Sequence, residues 1–291
     1  MQQTKFSFEA IGTTWQIDIF EELNQAKRVK LLREISELIE LFERSYSRFQ
    51  SDSLVSQMAK QAGRYNLPAD AKPLLDFYKA MNQLSKGIFT PCIGQMLVEA
   101  GYDANYSLAQ KSPLTSPFPF EKLAYTNDSI SLPKPVLLDF GAAGKGYLLD
   151  LIVVFLEREK HPYFCLDAGG DIFYQGQKGQ KLKVGLENPA NLEQVLGILE
   201  LEQGSLCSSA GNRRKWNNFH HIINPQTKSS PTKVLATWVK TPQAMLADGL
   251  ATALFLIEPE ILESKYHFDY LIVYNDYTTR QSTGFKAKLF N

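Results

Sequence analysis

With 291 residues and 44% hydrophobic side chains, the chain is long enough to bury a substantial core and has the composition of a globular rather than a disordered protein. Lysine plus arginine and aspartate plus glutamate each number 31, which leaves no net field for nucleic acid or an anionic membrane surface, so any anion site must be local. The three cysteines, Cys92, Cys165 and Cys207, lack the spacing of a zinc knuckle or a redox pair, and no apolar run is long enough to span a bilayer.

The N-terminal stretch Met1 to Phe6 carries neither a charged-then-apolar leader nor a lipidation cysteine. The expectation for the sequence as given is a cytoplasmic protein; an exported, membrane-attached form is the alternative if a leader has been removed. Phe6 to Phe20 alternates as a strand pair bent at Gly12, and a long amphipathic helix follows with Leu32, Ile35, Ile39 and Phe42 on one stripe. Ser47 to Ser53 reads as a polar turn. Pro73 to Lys86 and Pro91 to Ala100 read as helices stopped by Gly87 and Gly101, and Asn105 to Phe120, rich in Ser and Pro, reads as a surface loop.

Val136 to Phe140 has the pattern of a buried strand, broken by Gly141-Ala142-Ala143-Gly144-Lys145-Gly146, after which Tyr147 to Leu156 has helical spacing. A strand, a small-residue turn and a helix start together present backbone N–H groups to an anion, with Lys145 as a mobile cation. Glycines at such a junction serve tight packing equally well. The spacing is neither that of a Walker A loop nor that of a dinucleotide-binding GxGxxG. Beyond it, Tyr163–Leu166, Ile172–Tyr174, Leu182–Leu186, Gly197–Leu201, Val234–Lys240 and Tyr270–Tyr274 read as strands, and Ala244 to Ile257 as a strongly apolar helix. No repeat or low-complexity linker divides the chain. The expected architecture is α+β, mostly antiparallel, in one compact unit over residues 1–291.

Four groups of residues have chemistry to offer. Asp248 and Thr252, four apart on a helix, share a face and suit a hard cation such as Mg²⁺; the same spacing also fits an ordinary helical aspartate and a back-bonded threonine. Gly169-Gly170, flanked by Asp167 and Asp171, allow close backbone approach to a ligand or a plain hairpin turn. Ser208 to Trp216 gathers hydroxyls with Arg213, Arg214 and Lys215, which suit phosphate, and an indole that suits a flat ring; a solvated loop is the alternative. Of the adjacent histidines His220 and His221, a strand would turn one inward and the other to a cleft, where an imidazole serves as general base; a structural histidine at a strand end is the alternative.

In this order these segments resemble the ApbE family of flavin transferases. The resemblance spans nearly the whole chain: Gly12-Thr13-Thr14, Ser47-Arg48-Phe49 with Asp52-Ser53, Thr90-Pro91, Gly101-Tyr102-Asp103, Asp139-Phe140-Gly141 with Lys145-Gly146, Ala168 to Asp171, Glu187-Asn188-Pro189, Asn212-Arg213-Arg214, His221-Ile222-Ile223, and Ala247-Asp248 with Ala251-Thr252. It implies an α+β enzyme with antiparallel sheets, packed helices and a cleft for FAD. The implied activity is Mg²⁺-dependent transfer of the FMN moiety of FAD to a Thr or Ser hydroxyl of an acceptor flavoprotein, with release of AMP.

By the same resemblance, Asp248, Thr252 and the carbonyl of Gly144 match the metal ligands, and His221 the base. Ser47, Arg48, Phe49, Gly141, Lys145, Gly169, Gly170, Asp171, Glu187 and Arg213 match the nucleotide cleft. The chain departs from the family at Ala142 and Gly144, and at Asn224, which stands where an aspartate usually follows the His-Ile-Ile run. Two other activities suit the same residues: an FAD pyrophosphatase giving FMN and AMP, and a non-catalytic FAD-binding protein. A nucleic-acid partner and a membrane span are not expected.

Overall fold

The structure, a computed structural model, describes residues 3–290, so the stretch read for a leader begins outside the described residues. Alternating apolar side chains make the first two strands a hairpin, β1 (Thr4–Ala10) and β2 (Thr13–Ile19). There follow α1 (Gln25–Tyr46), α2 (Leu54–Met58), β3 (Gly63–Asn66), α3 (Ala71–Leu84), α4 (Gly94–Ala100), β4 (Ala124–Tyr125), β5 (Ser129–Leu132) and α5 (Gly144–Arg158). The next part is a run of strands: β6 (Phe164–Ala168), β7 (Asp171–Gln175), β8 (Leu182–Asn188), β9 (Asn191–Leu201), β10 (Gln203–Ala210), β11 (Lys215–Trp216), β12 (Phe219–His220) and β13 (Val234–Thr241). The chain closes with α6 (Ala244–Ala253), α7 (Pro259–Glu263), β14 (Asp269–Tyr274), β15 (Thr279–Gln281) and β16 (Lys288–Leu289).

Eight strands form one antiparallel sheet in the order β1-β2-β6-β7-β10-β13-β14-β15. Both faces of its centre are buried. One lies under α1, α3, α5 and α6 in a large apolar core; the other lies against the small sheet β16-β9-β8, through Leu186, Leu199 and Leu201. This is the α+β, mostly antiparallel fold that the sequence predicts.

Burial on both faces also explains a strand the sequence reading misses. In β10, Gly204-Ser205-Leu206-Cys207 shows no alternation, because no side of it meets solvent: all four residues are buried. A second difference lies at Val136 to Phe140. Val136, Leu138 and Phe140 are buried as predicted, but the segment joins no sheet. Its N–H groups go instead to carbonyls at the ends of other elements, Val136 to Met58 (3.1 Å) and Asp139 to Pro91 (2.7 Å), so an extended buried segment is satisfied without a strand partner. The helical stripe of α1 runs through Leu31, Ile35, Ile39, Phe42 and Tyr46, with Leu32 one position off it.

Two helices, α5 and α6, carry Lys145, Asp248 and Thr252, and they pack closely. A Cβ on Gly146 would lie 2.1 Å from the Ala244 carbonyl oxygen and 2.7 Å from Cβ of Asp248, so only glycine permits this approach. The start of α6 has no side-chain cap of its own. Asp150 of α5 caps it across the interface, accepting the N–H groups of Ala244 (2.8 Å) and Met245 (2.9 Å). Desolvation there pushes the Asp150 carboxyl up to about 6 despite those two bonds.

Candidate active site

The sheet, the helix pair and the α4 region enclose a cleft of about 900 Å³. Every residue that the resemblance assigns to a site lines it: Ser47, Arg48 and Phe49 beyond α1, Gly141, Gly144 and Lys145 at the start of α5, and Gly169, Gly170 and Asp171 at the β6–β7 turn. Glu187, Arg213, His221, Asp248 and Thr252 complete the wall. A cavity of this size falls in the range that takes cofactor-sized ligands.

At its floor lies a cluster of charge. Lys145 is ion-paired to Asp171 and sits 3.7 Å from Oδ1 of Asp248; both carboxylates are almost wholly buried. The other Asp248 oxygen accepts the Gly146 N–H at 2.9 Å. Asp171 also accepts the Ser208 N–H at 3.0 Å. Burial drives the Asp248 carboxyl upward, with the Lys145 cation opposing it, and the lysine itself is held protonated by the two carboxylates.

This corrects two expectations about the glycine-rich turn. Two of the first-turn N–H groups of α5 are already taken. The Gly144 N–H goes to the Phe140 carbonyl (2.8 Å) and that of Gly146 to Asp248, so the anion at this helix start is the protein's own carboxylate. Nor is Lys145 a free cation, since two aspartates hold it.

Six carboxyl groups line the cleft (Glu43, Asp139, Asp167, Asp171, Glu187, Asp248) against four cations (Arg48, Lys145, Arg213, Arg214), a formal excess of two negative charges when every carboxyl is ionised. A dianionic pyrophosphate would be repelled from such a wall unless a cation came with it. Thr252 stands with its hydroxyl 3.1 Å from that of Ser209, one turn beyond Asp248, so the available donors are carboxylate and hydroxyl oxygens. Hard oxygens with uncompensated negative charge fit a hard divalent ion. Among the described residues no three His, Cys, Asp or Glu side chains converge as a preformed cage, so such an ion would rest on Asp248 with hydroxyl, carbonyl and substrate oxygens.

The β6–β7 turn needs its glycines. Gly169 has φ +65°, and a Cβ there would fall 1.9 Å from Oγ1 of Thr13, so the turn both forms the hairpin and lets β2 close on the cleft. The segment is a two-residue hairpin turn, and its glycines line the cleft.

The two histidines part as expected, though by a bend rather than by strand alternation. His220 ends β12, is buried, accepts the Ile222 N–H at Nδ1 and bonds the Pro231 carbonyl through Nε2, which makes it structural. His221 faces the cleft, its Nδ1 buried without a partner among the described residues. Burial, and then the nearby charge of Arg214, pull its pKa down to about 3, so the ring is neutral and free to accept a proton. Asn224 makes no hydrogen bond to it. The Asn224 amide oxygen accepts the N–H groups of Gln226 and Thr227, holding the turn that follows.

The group from Ser208 to Trp216 divides. Ser208 and Ser209 belong to β10 rather than to a loop. Arg213 pairs with Glu187, and Arg214 faces the cleft with no carboxylate in ion-pairing range among the described residues. Lys215 is exposed and does not line the cleft. Trp216 is no stacking platform: it is buried, donates Nε1–H to the Ala100 carbonyl at 2.8 Å and packs on Tyr102. The aromatic wall is made instead by Phe49, Tyr102 and Tyr106, with the Arg48 guanidinium 4.3 Å from the Phe49 ring centre and 4.8 Å from that of Tyr102. Tyr102 carried a signal in Gly101-Tyr102-Asp103; Tyr106, in the predicted loop, carried none.

The pattern that defines the ApbE family matches residues 11–269. The FAD:protein FMN transferase of Treponema pallidum (strain Nichols) is 27% identical, the alignment covering 94% of this chain and 85% of that protein. That of Klebsiella pneumoniae (strain 342) is 24% identical, over 96% and 85%. Among solved structures, the ApbE protein of Thermotoga maritima superposes with a TM-score of 0.84 at 21% identity, covering 98% of each chain. The flavin transferase ApbE of Vibrio cholerae does so with 0.81 at 20%, again over 98% of each. A match over this much of the chain, on a fold and a cleft that gather the same short segments, means that the protein belongs to the ApbE family.

Proposed function

We propose that this protein is an FAD:protein FMN transferase, which moves the FMN moiety of FAD onto a Ser or Thr hydroxyl of an acceptor flavoprotein and releases AMP. The observation that carries the reading is the meeting, in one cleft of about 900 Å³, of a neutral imidazole, a buried aspartate–lysine–aspartate cluster and an aromatic wall. The names of the relatives support it.

In this reading Asp248, Thr252 and the Gly144 carbonyl would hold Mg²⁺, which when bound supplies charge neutralisation on the pyrophosphate. The chain's own residues do the rest. His221 accepts the hydroxyl proton at a ring nitrogen, and the low pKa of the free protein keeps that nitrogen open. Lys145 fixes Asp171 and Asp248 in place, and Gly146 orients Asp248 through its N–H. Tyr106, exposed and stacked on Phe49 beside the buried Tyr102, would offer the aromatic surface for a ring system.

The test is incubation with FAD, Mg²⁺ and a flavinylatable acceptor domain, followed by intact-mass measurement. An FMN-sized increase on the acceptor, lost with EDTA, is expected. Free FMN and AMP released equally with and without acceptor would make the protein a pyrophosphatase, and stoichiometric FAD binding without AMP would make it a binding protein.

A further inference from the structure

Of the four cations in the cleft wall, three have carboxylate partners: Arg48 with Asp139, Lys145 with Asp171 and Asp248, and Arg213 with Glu187. Arg214 has none among the described residues. We propose that Arg214 is the fixed cation that clamps the transferred phosphoryl group, a role that rests on the transferase reading above.

Two contacts hold Arg214 in position. Its carbonyl accepts the backbone N–H of His221 at 3.2 Å, which ties it to the candidate base across the β11–β12 hairpin. Its guanidinium carbon lies 5.9 Å from the centre of the Tyr102 ring, which Arg48 contacts as well, so the side chain is laid on an aromatic surface rather than free in solvent. The group attacked must lie within reach of both His221 and the cluster at Asp248. Arg214, on the same hairpin as His221 and in the same cleft wall, brings an uncommitted charge to that side of the cleft, whereas the charge of Lys145 is already matched.

In the step itself, the acceptor hydroxyl oxygen bonds to the phosphorus of the FMN phosphoryl group. The bond from that phosphorus to the bridging oxygen breaks, and the bridging oxygen departs with AMP. The hydroxyl proton passes to His221 and then to solvent. Charge grows on the non-bridging oxygens, where an unpaired guanidinium is worth most.

The test compares R214Q, R214K and, as a control on an exposed neighbouring cation, K215Q. Flavin fluorescence gives FAD affinity; adduct mass against time gives kcat and KM for the acceptor domain. R214Q is expected to lower kcat about 10²- to 10³-fold, as loss of one transition-state donor does, with FAD affinity changed only a few-fold. R214K should recover at least about a tenth of the wild-type rate and K215Q all of it. An unchanged kcat in R214Q overturns the proposal. So does a rise in acceptor KM alone, which would place an acidic side chain of the acceptor on Arg214, or equal loss in R214Q and R214K. A wild-type protein that forms neither adduct nor AMP refutes the transferase reading, seen without any variant, and the clamp with it.

Discussion

Lys145→Met removes the one cation from between two buried carboxylates while keeping most of the side chain's volume. The 3.7 Å separation from Asp248 corresponds to about 4 kcal/mol at an effective dielectric of 20. The ion pair with Asp171 adds to this, and relief of the buried lysine's own desolvation subtracts. Breaking one partner of a buried pair costs about 3–5 kcal/mol, and that is the expected loss near pH 8. The loss should depend on pH in a definite sense. A carboxyl whose folded pKa lies above its unfolded value binds protons more readily when folded. Acid therefore favours the fold, and stability falls as pH rises from the unfolded to the folded pKa. Asp248 is already raised in the wild type, and without Lys145 it rises further. Each proton held only by the folded state is worth about 1.4 kcal/mol for every pH unit, and the wild type also takes one up at Asp248 in the lower part of the range, so the deficit of the variant should shrink by about 1 kcal/mol between about pH 8 and about pH 5.5. Urea unfolding followed by tryptophan fluorescence at the two pH values, variant against wild type, measures it. An equal deficit at both, or one below about 1 kcal/mol, refutes the account of a charge-compensated cluster.

Other expectations follow from single contacts. Gly146→Ala drives a methyl into backbone on α6, and should cost about 3 kcal/mol or more with loss of FMN transfer, since it displaces Asp248; thermal melts and the adduct assay check both, and a stable, active variant would contradict the packing. Asp248→Asn should abolish Mg²⁺ binding in calorimetry while leaving stability at pH 8 unchanged or higher, because a raised buried carboxyl is removed; retained Mg²⁺-dependent transfer would refute the ligand assignment. His221 should stay neutral well below pH 6.5 in NMR titration of its ring. Its depressed pKa means the wild type loses stability as pH falls below 6.5 and His221→Ala loses less; a ring titrating near 6.5 would contradict this. Asp150→Ala uncaps α6 and should cost about 1–2 kcal/mol by chemical denaturation, with no loss counting against the cross-helix cap.

Much of this protein was legible along the chain, because local periodicity and short segments act over a few residues. The β1–β2 hairpin, the stripe of α1, the glycine turn at Gly169-Gly170 and the Asp248–Thr252 face all follow from spacing alone. Residue order thus settles many of the elements and, through short motifs, which residues line the cleft. Folding alone settles which charges remain open. Lys145 and the first turn of α5 read as an anion site in sequence, yet Asp171 and Asp248, more than twenty and one hundred residues away, hold the lysine, and Asp248 also takes the Gly146 N–H. Trp216 reads as a stacking surface and is instead bolted to Ala100. β10 and the segment Val136–Phe140 were misjudged for the same cause: burial on two faces erases alternation, and a hydrogen-bond partner can come from any carbonyl the fold brings near. Charge compensation and backbone pairing are made between segments distant in the chain, and no pattern within one segment encodes them.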